Sequence, residues 1–233
     1  MVLERVNYFS SSDRIEEILV QGNVVWFAGK KGITFYDNSN TKINDVLALP
    51  SAVAVKVSKK GNVYSAFSNN KIYMNDAFLY FIDQPGVVIT DLELYNKNLW
   101  VATNQGIYIF NTITRKLSTI YTTKSADMKS DNVTFLQYFK TLDKLYVGTD
   151  NGIIEIKDSG SKWKTSNKNE NFIAATESVD GLWLLSDKEL WLIYAEGNRD
   201  RWHPQGLKKG LFEGKVNDLT LDKDDNLYIA SDI

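Results

Sequence analysis

Six carboxylates, Glu16, Glu17, Asp91, Glu93, Glu177 and Asp218, fall within alternating apolar stretches spread along the whole chain. Gathered at one cavity mouth, two such groups could act as general acid and base on a glycosidic bond. Polar residues on strands that line a channel are also ordinary, so residue type alone does not make them catalytic. Asp222-Lys223-Asp224-Asp225-Asn226 offers the D-x-D-x-N opening of a calcium loop. The glycine that should follow is Leu227, and the place of the bidentate glutamate falls on Ile233, so the segment reads as an acidic hairpin and no metal is expected there. His203 is the single histidine, set between Trp202 and Pro204. It could serve as an acid or base, but alone it cannot build a metal cluster. No serine or cysteine nucleophile motif accompanies it, so the leading reading is a solvated histidine.

Asp158-Ser159-Gly160-Ser161-Lys162-Trp163 has the spacing D-x-G-x-x-W of the Asp-box turn found in sialidases. One reading is a glycosidase or a carbohydrate-binding surface; the other is a turn brace, in which Asp and Gly shape the bend and Trp packs beneath. A sialidase also needs three arginines around its substrate's carboxylate. Here arginine occurs only at Arg5, Arg14, Arg115, Arg199 and Arg201, and Ile156 stands where the box expects serine. Trp163, Trp191 and Trp202 could offer a ring to a sugar or a partner, with packing as their default role. No catalytic, cofactor or metal residue is therefore assigned, and the ligand-binding residues stay unknown.

The elements that would position any of these groups follow from a repeat. An aromatic residue in an apolar run recurs at Trp26, Tyr64, Trp100, Tyr146, Trp183 and Tyr228, with spacings of 38, 36, 46, 37 and 45 residues. That is the period of a four-stranded propeller blade. Counting the aromatic as zero, position six holds Gly32, Asn70, Gly106, Gly152 and Glu189. Glycine and asparagine accept the positive φ of a tight hairpin, so a turn is predicted there, and Glu189 predicts a different turn in the fifth copy. Runs such as Val24-Val25-Trp26-Phe27-Ala28 and Leu182-Trp183-Leu184-Leu185 are apolar on both faces and must be covered on both. Small residues at position two, Ala28, Ala66, Ala102, Gly148 and Ala230, would let sheets approach; Leu185 breaks that preference.

Each pair of strands is preceded by a more alternating one, starting at Ile15 or Ile18 and at 52–57, 89–94, 133–139, 172–178 and 216–221. Each is followed by a fourth strand, at 42–49, 78–82, 116–121, 162–165 and 199–203, whose charged and polar content suits an exposed edge. The expected fold is all-β: a single β-propeller domain over residues 1–233 with five complete blades plus a partial sixth. Its blades lie near 14–49, 50–84, 87–123, 131–166, 171–204 and 215–233, and residues 4–9 are able to supply a closing outer strand. Residues 2–6 lack the long apolar core of a signal peptide, so either the protein is cytoplasmic or a leader has been removed. Because the last repeat is incomplete, the chain is expected to be a fragment of a longer protein with its leader removed. Its unfinished blade could serve a homodimer.

Composition narrows the function classes. Among 233 residues there are 27 basic and 29 acidic ones, interspersed, for a formal net charge of −2. No like-charge run marks a nucleic-acid or membrane partner, and no stretch approaches the roughly 20 apolar residues of a membrane span. Cysteine is absent, which excludes disulfides, thiolate catalysis and cysteine zinc sites.

Asn98-Leu99-Trp100-Val101-Ala102-Thr103-Asn104-Gln105-Gly106-Ile107 and Asp225-Asn226-Leu227-Tyr228-Ile229-Ala230-Ser231 resemble the two-component-regulator propeller repeat, whose copies read approximately D-G-N-L-W-I-G-T-x-x-G-L. The repeats are also similar to those of the propeller component of the type IX secretion system. The resemblance implies a β-propeller in the periplasm or on the cell surface. It implies a non-enzymatic sensory or interaction module for signal transduction, taking a protein or glycan ligand on one face and no cofactor. A carbohydrate-active lyase or glycosidase on the same fold, or a structural scaffold of an envelope assembly, are the alternatives from other classes.

Overall fold

The structure, a computed structural model, describes residues 15–30, 32–37, 39, 42–47, 51–157, 160–166, 169–196, 199–204, 216–221 and 226–231, with backbone alone for 42–47, 195–196, 199–204 and 230–231. Residues 4–9, Asp158, Ser159 and 222–225, and the side chains of Trp202 and His203, lie outside the described residues. The chain divides into two compact units between Leu92 and Glu93.

The fold is a β-propeller of four-stranded antiparallel blades. In the first unit, blade one is β1 (Ile15–Gln21), β2 (Val24–Gly29), β3 (Gly32–Asp37) and β4 (Lys42–Leu47), in that order. Blade two is β5 (Ala52–Val57), β6 (Val63–Phe67), β7 (Lys71–Met74) and β8 (Ala77–Phe81). Their shared core holds Ala28, Ile33, Ala52, Val55, Val63 and Phe67, with Leu19, Trp26, Val57 and Tyr73 packed against it.

Blade three is β9 (Ile89–Tyr95), β10 (Asn98–Thr103), β11 (Gly106–Asn111) and β12 (Lys116–Tyr121), β9 carrying the unit boundary. Blade four is β13 (Val133–Phe139), β14 (Lys144–Thr149), β15 (Gly152–Lys157) and β16 (Lys162–Thr165). Blade five is β17 (Phe172–Glu177), β18 (Leu182–Ser186), β19 (Leu190–Glu196) and β20 (Arg199–Pro204). β21 (Val216–Leu221) and β22 (Leu227–Ser231) form a two-stranded sheet, with Val216 and Leu219 packed on Ala174, Leu185 and Leu190 of blade five.

The doubly apolar second strands of blades two to five are buried over most of their lengths, while β2 is half-buried over Val24–Phe27 and Tyr228 of β22 is exposed. All six residues of β14 are buried. Leu145 and Val147 enter the core shared with blade three, while Tyr146 enters the core shared with blade five. The predicted turns form where positive φ is available: 109° at Gly106, 112° at Gly152 and 60° at Asn70. Gly106 is doubly constrained, because an added Cβ would strike the Tyr121 carbonyl and its N–H donates to Asp131 O at 2.7 Å, ahead of blade four. Glu189 is not among the residues with positive φ, and its turn is held instead by Ser186, whose Oγ accepts from Glu189 N at 2.9 Å.

Buried hydroxyls brace these hairpins. Thr103 Oγ1 donates to Gly106 O, and Thr149 Oγ1 donates to Gly152 O, each at 2.7 Å. Ser186 Oγ, at the same repeat position, lies 3.0 Å from Glu189 O. Five of the innermost strands carry an irregularity at one frame, skipping Glu16, Val53, Thr134, Ile173 and Asn217 in the pairing with the second strand. Such a bulge bends the strand and changes which side chains share a face. It explains why alternation in these stretches starts ambiguously in sequence.

Two expectations change. The edge of blade two is not charged: β8 reads Ala-Phe-Leu-Tyr-Phe, with Phe78 and Phe81 exposed. The small residues at position two answer partners within their own blade as well as neighbouring sheets. Gly148 pairs with Phe135, whose ring fills the place of a Cβ; in blade five the sizes are exchanged, Leu185 lying opposite Ala174. We expect Gly148→Ala to destabilise the fold by about 1–3 kcal/mol through overpacking, and Phe135→Leu in the same chain to recover most of that loss. Urea denaturation of the single and double variants checks this.

Candidate functional site

Five of the six carboxylates accept hydrogen bonds from backbone amides. Glu17 crosses from β1 to β5, where its Oε2 accepts from Val55 N at 2.5 Å and its Oε1 from Lys56 Nζ at 2.9 Å. In the second unit Glu93 accepts from Tyr138 N at 3.4 Å and from Leu94 N at 2.7 Å, and Glu177 accepts from Lys140 N at 3.2 Å. Asp91 and Asp218 accept from the amides of Leu92 and Leu219 at 2.7 and 2.8 Å. Glu16 is exposed on its bulge. These groups satisfy backbone donors between and within innermost strands, a structural use of a carboxylate. Among the described residues no group of three His, Cys, Asp or Glu side chains could hold a metal.

The aromatic candidates sort by burial. Trp191 is 6% exposed and its Nε1 donates to Glu170 Oε2 at 3.1 Å, which makes it core. Trp163 is half-buried; its Nε1 donates to Gly160 O at 3.0 Å, and its ring lies 4.6 Å from Tyr121 and 6.1 Å from Trp100. That is the brace-and-pack geometry of the turn reading, for the part of the motif that is described. Tyr95 and Tyr138 continue the cluster at a centroid distance of 5.3 Å.

Tyr138 Oη donates to Asp143 Oδ1 at 2.7 Å, and this bond, with burial and the Asp143 charge, pushes the phenol up to about 12 from 10.0. A raised folded-state value favours the neutral form. Its stabilising contribution is complete below pH 10.0 and is lost as pH rises towards about 12. An alkaline absorbance titration should therefore show a late-ionising amplitude that falls by one tyrosine in Tyr138→Phe, and part of it should move earlier in Asp143→Asn.

Sequence reasoning missed a charged cluster in blade four. On the face turned to blade five, Lys144 Nζ lies 3.3 Å from Glu155 Oε1, both side chains about 10% exposed, and Lys157 Nζ lies 3.6 Å from the same oxygen. The residue opposite the central aromatic is Phe35, Met74, Ile109 and Leu192 in the other four blades, but Glu155 in this one. Aligning the third strands of the repeat would have revealed it. Lys164 lies opposite Glu155 and Lys162 opposite Lys157 in the β15–β16 register, so both lysines fall on the same face. Breaking a buried pair leaves an uncompensated charge. Glu155→Gln should cost about 3 kcal/mol, while Lys144→Met with Glu155→Leu should cost much less; thermal and urea unfolding distinguish them.

Compared by sequence, neither a known protein family nor a curated protein matches the chain. Compared by structure, the chain is similar to the extracellular domain of the protein described as hybrid two-component system BT4673 of B. thetaiotaomicron. The TM-score is 0.72 at 17% identity, covering 95% of this chain and 31% of that one. It is similar to the corresponding domain of BT3049 from the same organism, with a TM-score of 0.73 at 16% identity, covering 94% and 32%. It is also similar to the computationally designed Ika8 protein, with a TM-score of 0.62 at 14% identity, covering 93% and 70%. The chain thus spans about a third of the length of the two natural neighbours. No helix among the described residues is long and apolar enough to cross a membrane. At these identities the likeness establishes the fold: the chain shares the β-propeller of extracellular domains of two-component systems.

Proposed function

We propose that the chain is a non-enzymatic binding propeller, a sensory or interaction module of a bacterial envelope protein, acting in the periplasm or at the cell surface. The observation that carries this reading is its likeness, over 95% and 94% of its length, to extracellular domains described as parts of two-component systems. The candidate catalytic carboxylates support it, because five of the six are engaged by backbone amides. A ligand bound on one face would pass its signal through the rest of a longer protein. A glycosidase or lyase reading requires carboxylates gathered around one cavity, and the bonds to separate strands argue against it. A role as a scaffold in an envelope or type IX secretion assembly is favoured by one feature, the apolar edge strand β8 with Phe78 58% and Phe81 41% exposed.

The test is a thermal-shift screen of the purified chain against glycans, peptides and envelope proteins. A binder present at about 100 times its Kd should add about 2.7 kcal/mol and raise the melting temperature with no change in the ligand. Cleavage of a glycan by the chain would overturn the reading.

A further inference from the structure

Between β12 and β13 the chain runs through eleven residues, 122–132, against seven after blade two (82–88) and six after blade four (166–171). Small and polar side chains dominate this connection, and it folds on its own hydrogen bonds. Thr122 O accepts from Ser125 N and Ala126 N, each at 2.9 Å. Asp131 closes the neck, its Oδ1 accepting from Thr123 N at 2.6 Å and its Oδ2 from Thr123 Oγ1 at 3.3 Å. The neck is tied to the sheets, because Asp131 O accepts from Gly106 N at 2.7 Å and Asn132 O from Asp150 N at 3.2 Å. A compact surface loop with joined ends is an Ω-loop. Its tip can move without any blade losing a ladder bond.

The tip, Ala126–Lys129, is held against blade four by two kinds of contact. Thr165 donates to it twice, from N to Asp127 Oδ2 at 3.3 Å and from Oγ1 to Asp127 O. Lys129 Nζ donates to Ser166 O at 2.8 Å and to Asn169 Oδ1 at 2.9 Å. These bonds lie at the surface, where water replaces a lost partner at small net cost. The other contact is apolar. Met128, 7% exposed, belongs to the core that holds Trp100, and Ala126, Tyr121 and Trp163 pack against that core. Thr165 stands two residues beyond Trp163 on the same face of β16, so the latch sits beside the rings. That core is not fully satisfied, for Trp100 Nε1 is buried with no hydrogen-bond partner. An orphaned donor favours a state that admits an acceptor.

We propose that Ala126–Lys129 is a gate, which swings off β16 while its neck and both blades stay folded and opens the aromatic core beside Trp163 to solvent. Four surface hydrogen bonds and one buried methionine side chain hold it shut, so it opens at a far lower cost than global unfolding. The gate is a property of the loop and stands or falls independently of the binding-module reading.

The experiment treats the full chain with dilute hydrogen peroxide and follows oxidation of each methionine by peptide mass mapping. Met74, 8% exposed on β7, is the internal control for Met128, 7% exposed on the tip. Static burial alone gives the two equal rates, whereas the gate makes Met128 oxidise about tenfold faster. Thr165→Val with Lys129→Ala removes the Thr165 Oγ1 bond and both Lys129 bonds. It should speed Met128 oxidation roughly tenfold further and leave Met74 unchanged. In amide exchange, Thr165 N, bonded to the tip, should exchange faster than Ser166 N, bonded to Ile153 O within the sheet. Equal oxidation of the two methionines, or a Thr165 amide protected as well as that of Ser166, would overturn the gate. A rise shared by both methionines in the doubly substituted chain would also overturn it, because it reports global loosening instead of a moving tip.

Discussion

The structure depends on one constraint: the second strand of a blade is apolar on both faces and must be covered on both. β14 shows it most fully, with Leu145 and Val147 turned to blade three and Tyr146 to blade five. A single sheet in water could not bury such a strand, so the blade requires neighbours, and repetition supplies them. The other elements follow from serving that strand. The innermost strand bonds to it through a bulge in five of the described sheets, and in blades three, four and five the third folds back on it through a turn braced by a buried hydroxyl. The fourth leaves an edge to solvent.

Within this scheme the blades tolerate exchanges of volume but few of charge. Gly148 opposite Phe135 and Leu185 opposite Ala174 fill the same space with the large side chain on different strands. Close packing fixes the sum of the two volumes, not either residue alone. Glu155 is a different kind of exchange. It brings a charge into a position that Phe35, Met74, Ile109 and Leu192 keep apolar, and Lys144 and Lys157, which reach the same carboxylate oxygen, help offset the cost. A departure from the repeat that needs its own compensating partners is where function is most reasonably sought in a fold whose motif otherwise specifies only a blade.

The same reasoning gives other candidates a structural use. Glu17, Glu93 and Glu177 look catalytic as residue types, yet Glu17 and Glu93 reach the backbone of the next innermost strand, and Glu177 that of Lys140, just past the end of β13. Trp163 and Trp191 look like a sugar platform by type. Trp191 is instead core, tied to Glu170, while Trp163 keeps a half-buried face beside Tyr121.

The sequence by itself determined the blade, its period and most strand limits, because these rest on local matters: alternation, apolar runs and turns that need glycine or asparagine. Gly106 and Gly152 marked their turns, and Glu189 correctly marked a different one. It already held the apolar composition of residues 78–82, but not that Phe78 and Phe81 would stay exposed, since exposure belongs to the surroundings of β8. Nor could it show the shared bulges, the Gly148–Phe135 fit or the burial of Glu155 between lysines. Those are decided by which residue of a neighbouring strand lies opposite. That register is set only when a whole blade folds, so the partner of Lys162 is Lys157 by tertiary structure and by nothing in the local sequence.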